Sequence, residues 1–544
     1  MAENRRRNKR AAPAALTLSL LGAVLVLQPA CGRRAPAMTH VIFFIGDGMS
    51  AQTEVAASRY LYGKDDGLAW QTLPAKAYVA TWDVNVYNAN ARAFRRPAFS
   101  RHSFAPRLGY DAKALGAAPR LDGDARGPFP PGPAADSASA ATALATGSKT
   151  DSGNLSWLPG DPPDGGMVTI AEELRAKTGA GIGVVSTVPF DHATPAAFIS
   201  HNTNRSSYYT GLKGYKGLGI ADEIILRTKP DVVIGGGHPL LDNPYFNPKR
   251  GYISESLYRT LKTSADYLFV ERTAGGDGGR AILEGASAAA AAGKKLFGLF
   301  GGRGGNFEVP RVEDSPGRPL VTPATAENPT LAEATLAALD YLGRDPDGFF
   351  LVVEQGDIDW TNHDNDFRGA IGCVADLDRA VRAALTFVDR PGDAVDWANT
   401  VLLVTADHAT GGLFLKSGRR LGPGDLPGQD PRIEGAAAEP RAGSDRGIGA
   451  NGATIRTPAY SSPNIYPDGE LAYGTAGHTN ELVNLAVTGA AARTFMKYRG
   501  TWYPGLILDN TQVNAAMREA LGLGRERPAF VAVGPASSGS SARK

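Results

Sequence analysis

The sequence predicts an α/β fold: a doubly wound, mostly parallel sheet with helices on both faces and loop-rich insertions. Three observations predict it. Runs such as His40-Val41-Ile42-Phe43-Phe44-Ile45 are apolar without alternation, as expected of strands buried on both faces. These runs alternate with stretches of helical period along most of the chain, the pattern of βαβ units. Several of them end in turns bearing Asp or Gly, at the carboxyl edge where open parallel sheets collect their ligands.

Composition sets the bounds. The 544 residues are 43% hydrophobic and 21% charged, enough for a large buried core, in one big domain with insertions or in several smaller ones. The formal charge of +2 conceals an asymmetry, because residues 1 to 37 hold seven Lys or Arg against Glu3 alone. The remainder is mildly acidic, which argues against a nucleic-acid partner. Arg5 to Arg10 followed by the apolar run Ala15 to Leu27, short for a span and broken by Pro29, reads as an export signal. Cys31 is a candidate for lipid attachment, and Ala35-Pro36-Ala37 is a competing cleavage site. With Cys373 as the other cysteine, on a helical pattern, no disulfide is expected and a buried inert thiol is.

The elements follow in order. The strand 40–45 enters Gly46-Asp47-Gly48, placing Asp47 at its carboxyl end. Residues 81–135 are irregular and rich in Pro, Gly and Asn, with Arg92, Arg95, Arg96, Arg101 and Arg107 interleaved with Phe94, Phe99 and Phe104. They read as a solvated surface loop, or as an anion-attracting one beside a site. Asp136-Ser137-Ala138-Ser139 then opens a helix that Asp136 caps and Gly147 ends, with Ser137 at its electropositive end. A serine beside a capping Asp is common in helices that do no chemistry, so the other motifs must decide. A helix is expected over 167–177, strands over 181–187, 231–234 and 296–300, a helix over 331–342 and strands over 349–354 and 400–405. Gly235-Gly236-Gly237 alone is too little for a phosphate loop.

Three clusters tilt the reading toward metal. Asp359 and His363, one helical turn apart after Glu354, can share an ion. Asp407-His408 follows the strand 400–405 directly. Gly477-His478-Thr479 supplies a third imidazole. Each histidine alone is more often structural, but three of the chain's eight stand at this edge beside carboxylates or glycines.

Asp136-Ser137-Ala138 with Thr146-Gly147-Ser148-Lys149-Thr150, Gly46-Asp47-Gly48, Asp191-His192-Ala193-Thr194-Pro195-Ala196 running to His201 and Arg205, Glu354 with Asp359 and His363, Thr405-Ala406-Asp407-His408, and Gly477-His478-Thr479 together resemble the alkaline phosphatase family, in the family's order, over residues 40 to about 480. The resemblance implies a phosphomonoesterase with two Zn²⁺ and one Mg²⁺. Asp359, His363 and His478 match the first zinc site, Asp47, Asp407 and His408 the second, and Asp47, Thr194 and Glu354 the magnesium site. Nitrogen and carboxylate donors suit zinc, and an all-oxygen set suits magnesium. Ser137 matches the nucleophile that forms a phosphoserine, and Arg205 the phosphate-binding arginine. The chain departs at His192, where many bacterial members have Asp beside the magnesium, and at Trp360, where they have Lys near the phosphate. Weaker magnesium retention and weaker product binding are therefore expected.

The expected organisation is a signal at 1–37 and a catalytic domain at 38–524. That domain would carry insertions at 81–135 and, in the place of the family's crown, at 410–473, with a disordered tail at 525–544. Small phosphomonoesters are the expected substrates, a homodimer the expected assembly, and the periplasm or exterior the expected location. A diesterase or sulfatase on the same fold is the nearest competitor, although no Cys/Ser-x-Pro-x-Arg signature is present; a non-catalytic binder that kept the cage is the other.

Overall fold

The computed structural model describes residues 39–109, 132–212, 217–239, 251–415, 422–427, 464–465 and 471–524. The chain divides into the units Met1–Pro36 and Ala37–Lys544, and every described residue belongs to the second. The export signal with Cys31, most of the 410–473 insertion and the tail from 525 fall outside the described residues. Among the described residues, no helix is long and apolar enough to cross a membrane.

Ten strands form one sheet: β1 (His40–Gly46), β2 (Ala75–Ala80), β3 (Gly181–Pro189), β4 (Val232–Gly236), β5 (Tyr267–Glu271), β6 (Lys295–Leu299), β7 (Phe349–Gln355), β8 (Thr400–Thr405), β9 (Val483–Gly489) and β10 (Ile507–Asp509). Their order is β10-β2-β9-β8-β1-β7-β3-β4-β6-β5. Only β9 runs against its neighbours, β8 and β2; every other pairing is parallel. The expected mostly parallel α/β sheet is therefore present.

Burial explains which strands were legible. β1, β7, β8 and β3 are buried at every residue, as their unbroken apolar runs require. Helices cover both faces. On one, α1 (Ala51–Tyr62) packs on α5 (Phe367–Val388), α5 on α3 (Leu331–Leu342), and α3 on Gly278–Ala291. A Cβ on Gly183 of β3 would meet Leu342 of α3 at 2.5 Å, so the helix seats on the glycine. On the other face, α2 (Ser137–Thr146) packs with Ala193–Ala196 and Asn510–Ala520, and the Phe198 ring meets Phe43 of β1 and Phe350 of β7 at 5.9 and 6.1 Å. Cys373 is fully buried in α5, and burial pushes its thiol well up, leaving it protonated and inert.

The helix expected over 167–177 is Ile170–Thr178, delayed to the capping box that Thr169 forms with Glu172. The segment read as irregular from residue 81 contains the helix Val84–Ala93, capped by Asp83. Asparagines at 85, 88 and 90 hid it, since their propensity is that of a turn. Strands β2, β5, β9 and β10 were not anticipated, because they lie toward the margins of the sheet and alternate or are short.

Candidate functional site

Four adjacent strands, β8-β1-β7-β3, end side by side, and each delivers polar residues at its carboxyl end. Asp47 follows β1, and its N–H donates to Gln355 O at the end of β7 (3.1 Å). Gly48 has φ +67°, and a Cβ there would lie 2.7 Å from Asp359 Oδ1, so no larger residue lets β1 and the next helix approach this closely. That helix, α4 (Asp357–His363), starts two residues after β7 and carries Asp359 and His363 one turn apart. Asp407 and His408 follow β8. His192 and Thr194 follow β3, and His192 precedes the short helix Ala193–Ala196. A small antiparallel ladder pairs Thr410 with His478 and so carries His478, distant in sequence, over His408; their rings stack at 3.8 Å.

Three groups result, in each of which the ligand atoms lie within 4.8 Å of one another: Asp359, His363 and His478; Asp47, Asp407 and His408; Asp47, His192 and Glu354. In the first, His363 Nε2 and His478 Nε2 are 3.1 Å apart and face the two oxygens of Asp359 at 3.3 and 3.5 Å. Both rings donate Nδ1–H to carbonyls, His363 to Ala476 (2.5 Å) and His478 to Ala135 (2.8 Å), which leaves each Nε2 lone pair pointing inward. In the second, His408 Nε2 is 3.4 Å from both Asp47 Oδ1 and Asp407 Oδ2. His408 Nδ1 stands 3.3 Å from Thr410 Oγ1, which itself donates to Asp359 Oδ1 at 2.5 Å, tying the first two groups together. Beside the third, Thr194 Oγ1 donates to Asp47 Oδ2 (3.4 Å) and Ser186 Oγ donates to Glu354 Oε2.

The electrostatics suit cations. Burial first, then Asp407, Asp359 and Glu354, push Asp47 well above the carboxylate range. Burial followed by neighbouring charge raises Asp407 to about 6 and Glu354 to about 8. Burial would raise Asp359 as well, but His363 and His478 hold it well below its usual value. Burial lowers His408 to about 4 and His478 to about 3, keeping both neutral and able to ligate. Glu354 Oε1 and Asp407 Oδ2 are buried with no hydrogen-bond partner among the described residues. Buried carboxylates so crowded and so incompletely paired fit divalent ions: two imidazoles and a carboxylate in the first group suit zinc, two carboxylates and an imidazole in the second are also a zinc-type set, and the third has two carboxylates with the Thr194 hydroxyl and His192 beside them.

Ser137 lies between the second and third groups. Its Oγ is 3.1 Å from His408 Nε2 and 3.4 Å from Asp47 Oδ1, on the first residue of α2. Asp136 caps α2 through Ser139 N–H (3.0 Å), accepts Gly153 N–H (3.1 Å), and grips Arg205 Nη1 (3.0 Å). Burial opposes ionisation of Asp136, yet Arg205 and these donors hold it down to about 2. Arg205 Nη2 is 3.3 Å from His192 Nε2, so the guanidinium is held between His192 and Asp136, the residue before the serine. Trp360 sits edge-on to His192, with ring centres 5.7 Å apart.

Two residues of the sequence motifs stand elsewhere. His201 is held by Glu223 (3.0 Å) and Glu172 (3.3 Å), away from these groups. Lys149 is buried against Asp509 at 3.1 Å and under the Trp82 ring. Sequence reasoning missed Thr410 and Ser186 as carboxylate partners, and Asp136 as the clamp on Arg205. The signal for Thr410 was its place two residues after His408; nothing local marked Ser186.

The alkaline phosphatase family model matches residues 131–496. Streptomycin-6-phosphate phosphatase of Streptomyces griseus is 31% identical over 423 residues, covering 71% of this chain and 78% of that protein. Alkaline phosphatase 4 of Bacillus subtilis is 32% identical over 280 residues, 52% of this chain and 50% of that one. The chain thus spans about half the length of several curated relatives it matches. In structure it is similar to the alkaline phosphatase of Thermus thermophilus, with TM-score 0.57 at 22% identity, covering 94% of this chain and 97% of that one.

Proposed function

The chain belongs to the alkaline phosphatase family, and from that premise we propose that it hydrolyses phosphate monoesters through a phosphoserine at Ser137. The observation that carries the reading is the setting of Ser137. Its Oγ stands at the positive end of α2, 3.1 Å from His408 Nε2, with the Arg205 guanidinium anchored alongside by Asp136.

Asp359, His363 and His478 would hold one zinc, Asp47, Asp407 and His408 the other, and Asp47, Thr194 and Glu354 a magnesium, with His192 close enough to reach the same ion. These ions supply Lewis acidity and lower the pKa of bound water toward ~7. The protein residues do the rest. Arg205 takes two non-bridging oxygens in its planar fork and turns phosphorus toward Ser137. Ser137 Oγ attacks in line as the alcohol departs, and the phosphoserine keeps both Arg205 contacts. Water then attacks from the side the alcohol left, and two inversions give net retention at phosphorus. His192 and Trp360 supply less negative and less positive charge than Asp and Lys would, which favours weak magnesium retention and quick loss of product phosphate.

Export to the periplasm or exterior, with either lipid attachment at Cys31 or cleavage after Ala35-Pro36-Ala37, a homodimer and small, varied phosphomonoester substrates complete the proposal. The discriminating experiment compares p-nitrophenyl phosphate with bis-p-nitrophenyl phosphate. Hydrolysis of the monoester with little of the diester supports the reading; the reverse preference overturns it.

A further inference from the structure

We infer that the segment 84–109 is a basic rim that binds a second anionic group of the substrate, so that small polyphosphorylated alcohols are preferred over simple monoesters. This inference rests on the phosphomonoesterase reading and deepens it. Four observations carry it.

The first is position. β2 is parallel to β8 and separated from it only by β9, so the segment that leaves the end of β2 emerges on the same edge as Asp407 and His408. Two strand spacings put that exit about 10 Å from the end of β8. The second is attachment. Asp83, just before the segment, accepts Ser139 Oγ of α2 at 3.0 Å, and Asn85 Oδ1 accepts Ser152 N–H at 2.8 Å. At the far end, Gly109 O accepts Asn480 Nδ2 at 2.9 Å, two residues beyond His478. The segment is therefore fastened to the nucleophile helix at one end and beside a candidate metal ligand at the other.

The third is charge. Residues 84–109 contain Arg92, Arg95, Arg96, Arg101 and Arg107 and no Asp or Glu, and all five arginines are exposed. Arg92, Arg95, Arg96 and Arg107 make no ion pair among the described residues. A surface whose charges served only solubility would interleave both signs. The fourth is rigidity. Phe99 and Phe104, in the same segment as the arginines, meet at 5.1 Å and pack on Tyr87 and Trp82 at 5.5 and 5.8 Å, while Phe104 also meets Trp502 at 5.6 Å. Asn88 Oδ1 receives Phe99 N–H, the Tyr87 hydroxyl receives Ala105 N–H, and Asn90 donates to Leu108 O. The cations are thus presented on an ordered base, which lowers the entropy cost of capturing an anion. A phosphoryl group held by Ser137 and Arg205 would leave the rest of its molecule free to reach along the sheet edge from which this segment emerges.

The test compares glucose 1,6-bisphosphate with glucose 6-phosphate on the metal-loaded full chain, with p-nitrophenyl phosphate as reference. At low ionic strength the bisphosphate should exceed the monophosphate in kcat/KM by about tenfold, well above the factor of about two for its two esters, and the excess should fade as salt is raised. The exposed triple variant Arg92→Ser/Arg95→Ser/Arg96→Ser should lose that excess through KM while its p-nitrophenyl phosphate constants stay within about twofold. The matching Arg→Lys triple should keep it. An enzyme active on p-nitrophenyl phosphate that treats the glucose pair alike, or whose preference survives the serine variant, overturns the inference and leaves the parent reading standing. Wild type inactive on all three substrates overturns the parent reading, and this one with it.

Discussion

Two buried clusters of ionisable side chains share this domain and are organised in opposite ways. Around His201, one imidazole faces Glu223 and Glu172; burial works to lower its pKa, but the two carboxylates raise it to about 10. Its backbone N–H and both ring nitrogens are bonded, to Glu223 and to Met167 O. Around Asp47, burial and like charge raise Asp47, Asp407 and Glu354 together, and buried carboxylate oxygens stand without partners among the described residues. The first cluster has a cation of its own, and both ring nitrogens of His201 have partners. The second has raised carboxylates and unpartnered buried oxygens, a setting that divalent cations would complete. A histidine in a sequence motif therefore says less than its surroundings: His201 and His408 both sit among carboxylates, but the His201 ring is held charged by its partners and the His408 ring is held neutral by burial.

That contrast can be broken in several places. Ser137→Ala should reduce phosphomonoester turnover by at least about 10³-fold while thermal melting and metal content stay at wild-type levels. Loss of the melting transition instead would mean that the serine is structural. His201→Gln should behave inversely. Leaving Glu223 buried, and Glu172 half-buried, without their cation should cost about 3 kcal/mol in denaturant unfolding, whether or not metals are present, with turnover of the folded fraction changed little. A metal-dependent loss would place His201 in the site after all.

Asp47→Asn removes one of the mutually repelling carboxylates. Chelated protein should therefore gain stability, by about 1 kcal/mol, while metal-loaded protein loses most of its activity; destabilisation of the chelated form would contradict the crowding argument. pH should separate the two clusters further. The folded pKa of His201 is raised from 6.5 to about 10, so its contribution is complete below about 6.5 and is lost as pH rises through about 10. Asp407 and Glu354 are raised from 3.8 to about 6 and from 4.5 to about 8, so their penalty on the metal-free fold is absent below the lower values, grows between them and is complete above about 6 and about 8. The gain in melting temperature on adding metals should consequently be larger at about pH 8 than at about pH 5. The smallest effect is expected at Trp360→Lys, where product phosphate should inhibit several-fold more strongly; unchanged inhibition would sever Trp360 from the phosphate.

The sequence made the centre of the sheet legible and its margins obscure. β1, β7 and β8 are unbroken apolar runs that end in Asp47, Glu354 and Asp407, because burial on both faces leaves no room for polar residues until the edge. Ala75–Ala80 and Tyr267–Glu271 are half-exposed, and their mixed composition carries no such mark. In the candidate site, the pairing of Asp359 with His363 was readable from local spacing, whereas Ser137 stood out only once the other motifs were set beside it. The grip of Asp136 on Arg205, the bond from Thr410 to Asp359 and the ties of the 84–109 segment to Ser139 and Asn480 were not, since each joins residues brought together only by the fold. The helix Val84–Ala93 was missed because its cap, Asp83, reads locally as one more loop residue.

The most direct test of the account is hydrolysis of p-nitrophenyl phosphate from about pH 6 to about pH 11 by purified protein, with zinc and magnesium or with chelator, beside Ser137→Ala. Activity that rises toward alkaline pH, disappears with chelator, returns with the two metals and is abolished in the variant is the predicted result. Activity that survives full chelation, or that Ser137→Ala retains, would contradict the claim that the carboxylate-crowded edge is a metal centre built around this serine.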